Sequence, residues 1–433
     1  MKQRLRRDLP ARVATSPLEG LIWWSMQAGI VTVPLIFSHG HDVYRLPKQL
    51  LFEAFAIFIL SACAIVSIVD PRHGILQRLR GHRNVTLTAL IAVGWTAVTA
   101  LLSSQKVVSG DTLLWVACCA AFFLSALALA ARRPLWSAIP ALFAAAVNSI
   151  VVLLQRFQIW TPFQFQEGLA LRARLTGYLG NPDDVGAYLL IPIIAAAVLA
   201  LVMRGAARWT STAVALLLAV ALLASETLTA LIALGAAVAM LIVLLSRRAA
   251  LRIALAAVIV LAVVFVLRLP VTRRLQNVAA QLLAGQLHEA SSERLEGFHT
   301  AWAMFTDHPL VGVGPGCFAY WYLPYDILLS ANHPEYLVSG SNFHDVHNDH
   351  LQLLATTGLP GYAIFLAALV QLGLVAKGAA PDDARGRFAR LFAAPAAVGA
   401  GLLTLGSFPL ELAAPTQVML YFAALAAAWR RRE

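Results

Sequence analysis

Charge is what this chain has least of. Only 13% of its 433 residues are Asp, Glu, Lys or Arg, against about 25% in an ordinary soluble domain. Hydrophobic residues make up 60% and mean hydropathy is +0.74, which excludes a soluble enzyme and points to a polytopic membrane protein. Cysteine is scarce as well. Cys63, Cys118 and Cys119 lie in apolar runs, Cys317 stands alone in a polar stretch, and no Cys-x-x-Cys spacing suggests a disulfide framework or a zinc site. There is no Gly-Lys-Ser/Thr phosphate loop and no His-Glu-x-x-His pair. The net charge of +11 does not imply nucleic acid, because no arginine stripe carries interleaved aromatics. A cleavable signal peptide is not expected: the first apolar run, near Leu21–Phe37, is too long for an h-region and no small-residue cleavage site follows it.

What the chain does have is apolar runs. A span needs about 20 apolar residues, and twelve are read here: about 20–38, 50–69, 85–102, 110–130, 135–155, 185–203, 210–225, 228–246, 250–267, 359–376, 388–407 and 414–430. Spans seven and eight are short and nearly continuous. The fold class is an all-α polytopic membrane protein, with residues 1–433 as a single integral membrane domain. The basic residues test the count. With both termini in the cytoplasm, 23 of the 33 Lys and Arg fall inside and 10 outside, as the positive-inside rule requires. Arg45, Lys48 and Lys106 are the outside cations in short loops.

Two long outer connections, 156–184 and 268–347, keep arginines against this bias, for which an anionic ligand is a natural reason. The first reads Arg172-Ala173-Arg174-Leu175-Thr176-Gly177-Tyr178-Leu179-Gly180-Asn181-Pro182-Asp183-Asp184. Its Gly and Asn-Pro positions are turn chemistry, and Asp183 or Asp184 is placed to cap the next helix. Its arginines either snorkel from an ordinary capped turn or grip phosphate oxygens through their planar forks.

The second connection opens with Arg268, Arg273 and Arg274. Leu295, Phe298, Trp302 and Phe305 recur at helical spacing, predicting an amphipathic helix packed on the bundle by that stripe. Arg294 sits at its N-terminal end, where it can share an anion with the helix dipole. The aromatics Phe318, Tyr320, Trp321, Tyr322 and Tyr325 read as an interfacial belt or as a platform for sugar rings. Then comes the densest cluster, His344-Asp345-Val346-His347-Asn348-Asp349-His350. Three readings stay open for it. His347, Asp349 and His350 could hold a metal, although a hard cation wants more carboxylates. Asn348 or Asp345 could simply cap a helix. A histidine could accept a proton at neutral pH.

Taken in order, the motifs carry a family likeness. They are Arg-x-x-Gly-x-x-Gly-Asn-Pro at 174–182, Glu293-Arg294 with Trp302, Asp-His-Pro-Leu-x-Gly-x-Gly at 307–314, and His-Asn-Asp-His-Leu-Gln from 347 with Gly358 and Gly361. Phe408-Pro409-Leu410-Glu411 precedes the last span. Over residues 170–425 this resembles the O-antigen ligase and O-antigen polymerase superfamily of bacterial inner membranes. One departure stands out: many members carry a Ser-Arg-Gly-like motif between spans seven and eight, where this chain has Ser225-Glu226-Thr227-Leu228-Thr229.

The resemblance implies a GT-C-type glycosyltransferase with about 12 transmembrane helices and a large periplasmic loop containing short helices. It implies an inner-membrane enzyme with its active site on the periplasmic face, needing no metal and no other cofactor. The donor would be a glycan on undecaprenyl diphosphate and the acceptor lipid A–core. Other members extend lipid-linked repeats as polymerases or modify proteins as O-oligosaccharyltransferases. A transporter is a more remote alternative. The family's essential histidine maps to His347, and its arginines to Arg174 and Arg294 with Arg172 as helper. Asn181, His344, Asp345, Asn348, Asp349 and His350 would form the supporting shell.

Overall fold

The computed structural model describes residues 17–38, 44–69, 74–161, 163, 170–266, 270–332, 343–377 and 383–430. Lys2, Arg4, Arg6, Arg7, Arg12, Arg72, Arg268, Arg431 and Arg432, which enter the charge count, lie outside them. Every regular element among the described residues is helical. The order begins α1 (Pro17–Thr32), α2 (Arg45–Val69), α3 (Ile75–Gly81), α4 (Arg83–Leu102), α5 (Lys106–Ala130) and α6 (Ile139–Arg156). It continues with α7 (Pro182–Val202), α8 (Gly205–Ser225), α9 (Leu228–Leu244) and α10 (Arg247–Val266). Four helices occupy the long connection: α11 (Pro270–Leu283), α12 (Leu287–Ala290), α13 (Leu295–Asp307) and α14 (Phe318–Asn332). The chain then returns through α15 (Asp349–Leu374), α16 (Ala384–Leu403) and α17 (Ala413–Trp429).

Each of the twelve apolar runs coincides with one of these helices, and the described part of the long connection holds only the four shorter ones. Seven helical segments among the described residues are long and apolar enough to cross a membrane: α2, α4, α5, α6 with its preceding 3-10 turn, α7, α8 and α15. The count of twelve spans therefore exceeds what length and composition alone support. α1, α9 and α17 are apolar but only 16 or 17 residues long, while α16 carries Arg385, Arg387 and Arg390 near its start. The bundle is built around α7, which packs against α6, α8, α9, α16 and α17. Most of α7 is buried, whereas α4 and α8 present large apolar side chains such as Leu90, Ile91, Leu216 and Val220 outward. A helix apolar on all sides belongs in such a core, and outward apolar faces suit a hydrocarbon solvent.

The basic residues sort by end. Arg78 bonds Glu19 and the Ala128 carbonyl, both at 3.0 Å. Arg133, Arg385 and Arg387 donate to the carbonyls of Glu19, Ala131 and Val202. All of these come from connections that the charge count places inside. The outer connections meet at the opposite end, where Arg45, Arg172, Arg274 and Arg294 gather.

Two local readings are corrected. The buried face of α13 is Glu296, Gly297, Thr300, Ala301 and Met304, while Trp302 is exposed and lies tilted against Phe305. The helix is thus turned about 150° from the stripe its large apolar residues suggested. The cause is threefold: Glu296 is held inside by the Tyr322 hydroxyl at 2.7 Å, small residues allow close approach to α15, and Trp302 is left at the surface. The cap of α7 is Asn181, whose side chain accepts from the Asp183 N–H at 2.8 Å; neither Asp183 nor Asp184 serves.

α15 breaks at Gly358, whose φ of 69° and ψ of −175° lie outside the helical region. The break frees carbonyls that must be satisfied elsewhere. Ala355 and Thr356 accept from the N–H groups of Val313 and Gly314 at 2.8 and 3.1 Å, and Thr357 accepts from the Trp95 indole at 2.9 Å. The Asp-His-Pro-Leu-x-Gly-x-Gly turn is therefore a clamp on a broken helix. Only glycine fits at Gly312, where a Cβ would lie 2.3 Å from the Thr356 carbonyl carbon.

Candidate active site

Three connections and two helix starts converge at the end opposite the basic end. α15 begins with Asn348 as its cap, accepting from the Leu351 N–H at 3.1 Å; Asp345 does not cap. Just before it, His347 adopts a left-handed backbone with φ 57°. That conformation costs a side-chain-bearing residue of order 1 kcal/mol or more, so the surroundings must impose it. The preceding Val346 N–H is held by the Gln352 side-chain oxygen at 2.9 Å, and the Gln352 amide donates to Glu411 at 2.9 Å. The His347 ring sits edge-on between Phe408, at a centroid distance of 4.5 Å, and Phe343, at 6.3 Å. Its Nδ1 is buried without a hydrogen-bond partner, so proton exchange falls to Nε2. Burial pushes the imidazole down to about 4, and the nearby Arg294 charge adds to the effect.

On one side of His347 stand arginines. Asp183, at the start of α7, accepts from Arg172 at 2.6 Å and from Arg294 at 3.1 Å. Arg294, the residue before α13, also donates to the Gly406 carbonyl at 2.9 Å. Arg274, on α11, joins the same electrostatic group and donates to the Glu226 carbonyl at 2.7 Å. Burial and the neighbouring Arg172 push the Arg274 guanidinium below its ordinary value. Two guanidiniums, Arg172 and Arg294, thus grip one carboxylate, with Arg274 within electrostatic reach of Asp183 and Glu226. Arg174 lies on the same 3-10 turn as Arg172 and is half-buried, but the residue that grips Asp183 is Arg172.

On the other side stand carboxylates. Asp345 takes a two-pronged contact from Arg45, at 2.6 and 3.3 Å, and a bond with the His344 ring at 3.2 Å. Burial opposes its ionisation, yet the bonds to His344 and Arg45 hold its carboxyl far below the usual range. The same bond to Asp345 raises His344. Asp184 lies within electrostatic reach of Arg45, Lys48 and Asp345. Glu411 is pushed up to about 7 by burial and by the charge of Asp345. Asp349 is buried, accepts from the Leu410 N–H at 3.2 Å, and donates its own N–H to the Thr404 carbonyl.

His350 does not join His347. It bonds Tyr362 and, on the far side, the Gly401 carbonyl and Thr404, tying α15 to α16. Among the described residues no group of three His, Cys, Asp or Glu is placed to hold a metal ion. Sequence reasoning passed over Arg45, Arg274, Gln352 and Glu411. Arg45 carried a signal as an outer cation in a short loop, and Arg274 as one of three arginines opening the long connection. Gln352 and Glu411 stood within the quoted motifs without a role assigned to them. Arg274 also answers the Ser225–Thr229 departure, because its guanidinium reaches the backbone of that very turn.

Phe408 against His347, and the Gly406 carbonyl under Arg294, make the 404–411 segment the bridge between the two sides. A comparison with curated proteins finds no match. Residues 212–366 match the family model described as O-antigen ligase, a segment that carries Arg274, Arg294 and the whole His344–His350 cluster.

Proposed function

We propose that this protein is a periplasmic-face glycosyltransferase of the bacterial inner membrane that passes a glycan from undecaprenyl diphosphate to lipid A–core. In this reading all twelve apolar helices cross the bilayer, both termini are cytoplasmic and the fold is of the GT-C type. The observation that carries it is the set of three guanidiniums around Asp183 beside His347. Asp183, with Glu226 near Arg274, still leaves the three guanidiniums with net positive charge, which a diphosphate would neutralise through charge-assisted bonds worth about 1.5–3 kcal/mol each.

The chemistry follows from these parts. Nε2 of His347 takes the proton of an acceptor sugar hydroxyl, whose oxygen attacks C1 of the donor sugar. The C1–O bond breaks and its electron pair leaves on the diphosphate, where Arg172, Arg274 and Arg294 stabilise the growing charge. Attack in line with the leaving group inverts the anomeric centre. The proton then passes from His347 to solvent, and neither a metal nor a nucleotide is used. Arg174 would contact the donor farther from the diphosphate. Asp345, Asp349 and Asn348 hold the turn that carries His347, and His344 steadies Asp345.

The test is to reconstitute the protein with a lipid-linked glycan donor and offer lipid A–core, a second lipid-linked repeat, or an acceptor protein. Glycan gained by lipid A–core supports the ligase reading. Transfer only to the lipid-linked repeat makes it a polymerase, and transfer only to protein makes it an O-oligosaccharyltransferase.

A further inference from the structure

The aromatics that follow the clamp separate into three groups. Phe318 and Tyr322 are buried in a core shared with α13 and α15. Tyr320 is exposed. Trp321 and Tyr325, one turn apart on α14, line a cavity of about 300 Å³ that the proposed chemistry leaves unused. The cavity lies between the end of α4, the 307–314 clamp and α14, with Thr99, Leu102 and Ser104 on one side and His308 and Val313 on another.

Its lining suits a neutral ring that carries hydroxyls. The Trp321 indole N–H is buried without a hydrogen-bond partner, a donor that costs free energy until an acceptor meets it. Tyr325 gives its proton to Asp307 at 3.0 Å and keeps an oxygen able to accept. Ser104 and His308 are exposed at the edge. No Lys or Arg is among the lining residues, and Lys106, next along the chain, is turned back onto the Leu101 carbonyl. A phosphate thus has no cation here. A pyranose has an apolar C–H face and a rim of hydroxyls, which match aromatic faces set among a few donors and acceptors.

Position narrows the source of the sugar. Leu102 in the lining and Leu101 beside it are exposed at the outer end of α4, whose outward apolar face suits hydrocarbon. The cavity therefore stands at the boundary of lipid and water. Arg294 precedes α13 and His308 follows it, about 20 Å apart at 1.5 Å per residue. His347 precedes α15, and the clamp grips that helix at Ala355 and Thr356, roughly 12 Å along it. In the transferase reading the donor's membrane anchor begins at the diphosphate, on the arginine side. A sugar held at membrane level away from that side belongs to the acceptor, whose sugars lead from its own anchor to His347.

We infer that the cavity between α4, the clamp and α14 is a subsite for a membrane-proximal sugar ring of the glycolipid acceptor, held by Trp321 and Tyr325. This rests on the transferase reading for the identity of the glycolipid, but the binding of sugar is tested without it.

The full-length protein in lipid nanodiscs is titrated with the core oligosaccharide released from lipid A and, separately, with the donor glycan freed of its lipid. Ser104→Trp fills the cavity from an exposed turn, and Trp321→Phe keeps a ring but removes the N–H. Core binding should weaken at least about tenfold in Ser104→Trp and about three- to tenfold in Trp321→Phe, with donor-glycan binding unchanged. No core binding, or core binding unaltered by both substitutions, overturns the inference. Equal loss for both glycans means general damage and overturns it as well. In the transfer assay the variants should raise KM for lipid A–core by similar factors while kcat and donor KM hold; a fall in kcat with that KM unchanged counts against the subsite. If the core oligosaccharide binds and both variants release it but no transfer is ever seen, the transferase reading fails and the sugar site stands. If transfer proceeds and both variants keep the unaltered KM, the sugar site fails and the transferase reading stands.

Discussion

The two sides of His347 use charge in opposite ways. On the arginine side, Arg172 and Arg294 bond Asp183, and Arg274 lies within electrostatic reach of Asp183 and Glu226, so that positive charge exceeds negative. On the carboxylate side each acid is served by the fold itself: Asp345 by Arg45 and His344, Asp349 by a backbone N–H, and Glu411 by Gln352. A group left unbalanced invites a ligand, whereas a satisfied network holds geometry. In the proposed reading the first side binds the donor and the second positions His347. Between them His347 is kept neutral, in a backbone conformation it would not choose alone.

The sharpest way to break this division is at its centre. His347→Ala should lower transfer by about 10²–10⁴ while donor binding and membrane insertion stay close to normal; transfer at the unaltered rate would remove the base. Next, Arg294→Lys keeps the charge but loses the fork that spans Asp183 and Gly406. It should cost roughly ten- to a hundredfold in kcat/KM, read as weaker donor binding. Arg172→Ala and Arg274→Ala should each raise donor KM by about tenfold, and Arg174→Ala by less. The reverse ranking would move the binding side to Arg174.

A pH profile sharpens the same contrast. With His347 at about 4, the imidazole is unprotonated and competent at neutral pH, and kcat/KM should fall only as pH drops through about 4. A bound diphosphate offsets Arg294 and favours the imidazolium. The acid limb of kcat should therefore lie about one unit higher than that of kcat/KM; coincident limbs would separate His347 from the anion. The smallest effect belongs to the positioning side. Gln352→Ala should lower thermal stability by about 1 kcal/mol and reduce kcat with donor KM unchanged.

The helices were legible because hydrophobic runs in a chain this poor in charge have one outcome in lipid. All twelve runs from Leu21 to Trp429 formed helices, and the ends at which their basic residues meet agree with the charge count. Phase was harder to see. On α13 a buried Glu296 and the small residues Gly297 and Ala301 outweighed Trp302 and Phe305, because a hydrogen bond to Tyr322 and close backbone approach leave no trace in hydropathy. The site was legible wherever its residues were neighbours in sequence, as at 344–350. It was hidden where they meet through the fold. His350 and His347 are three residues apart, yet His350 bonds the Gly401 carbonyl while the His347 ring packs edge-on against Phe408. Arg45 and Asp345 are 300 residues apart and touch.

The 404–411 segment sets an order of events during synthesis. Arg294, Asp349, Gln352 and the Phe408 contact to His347 all close on a stretch translated after them. Sixteen of the seventeen helices end by residue 403, before the groups that shape the site have anything to close on. In the proposed reading, a nascent chain halted before residue 404 would lack these contacts and could not yet transfer lipid-linked sugar.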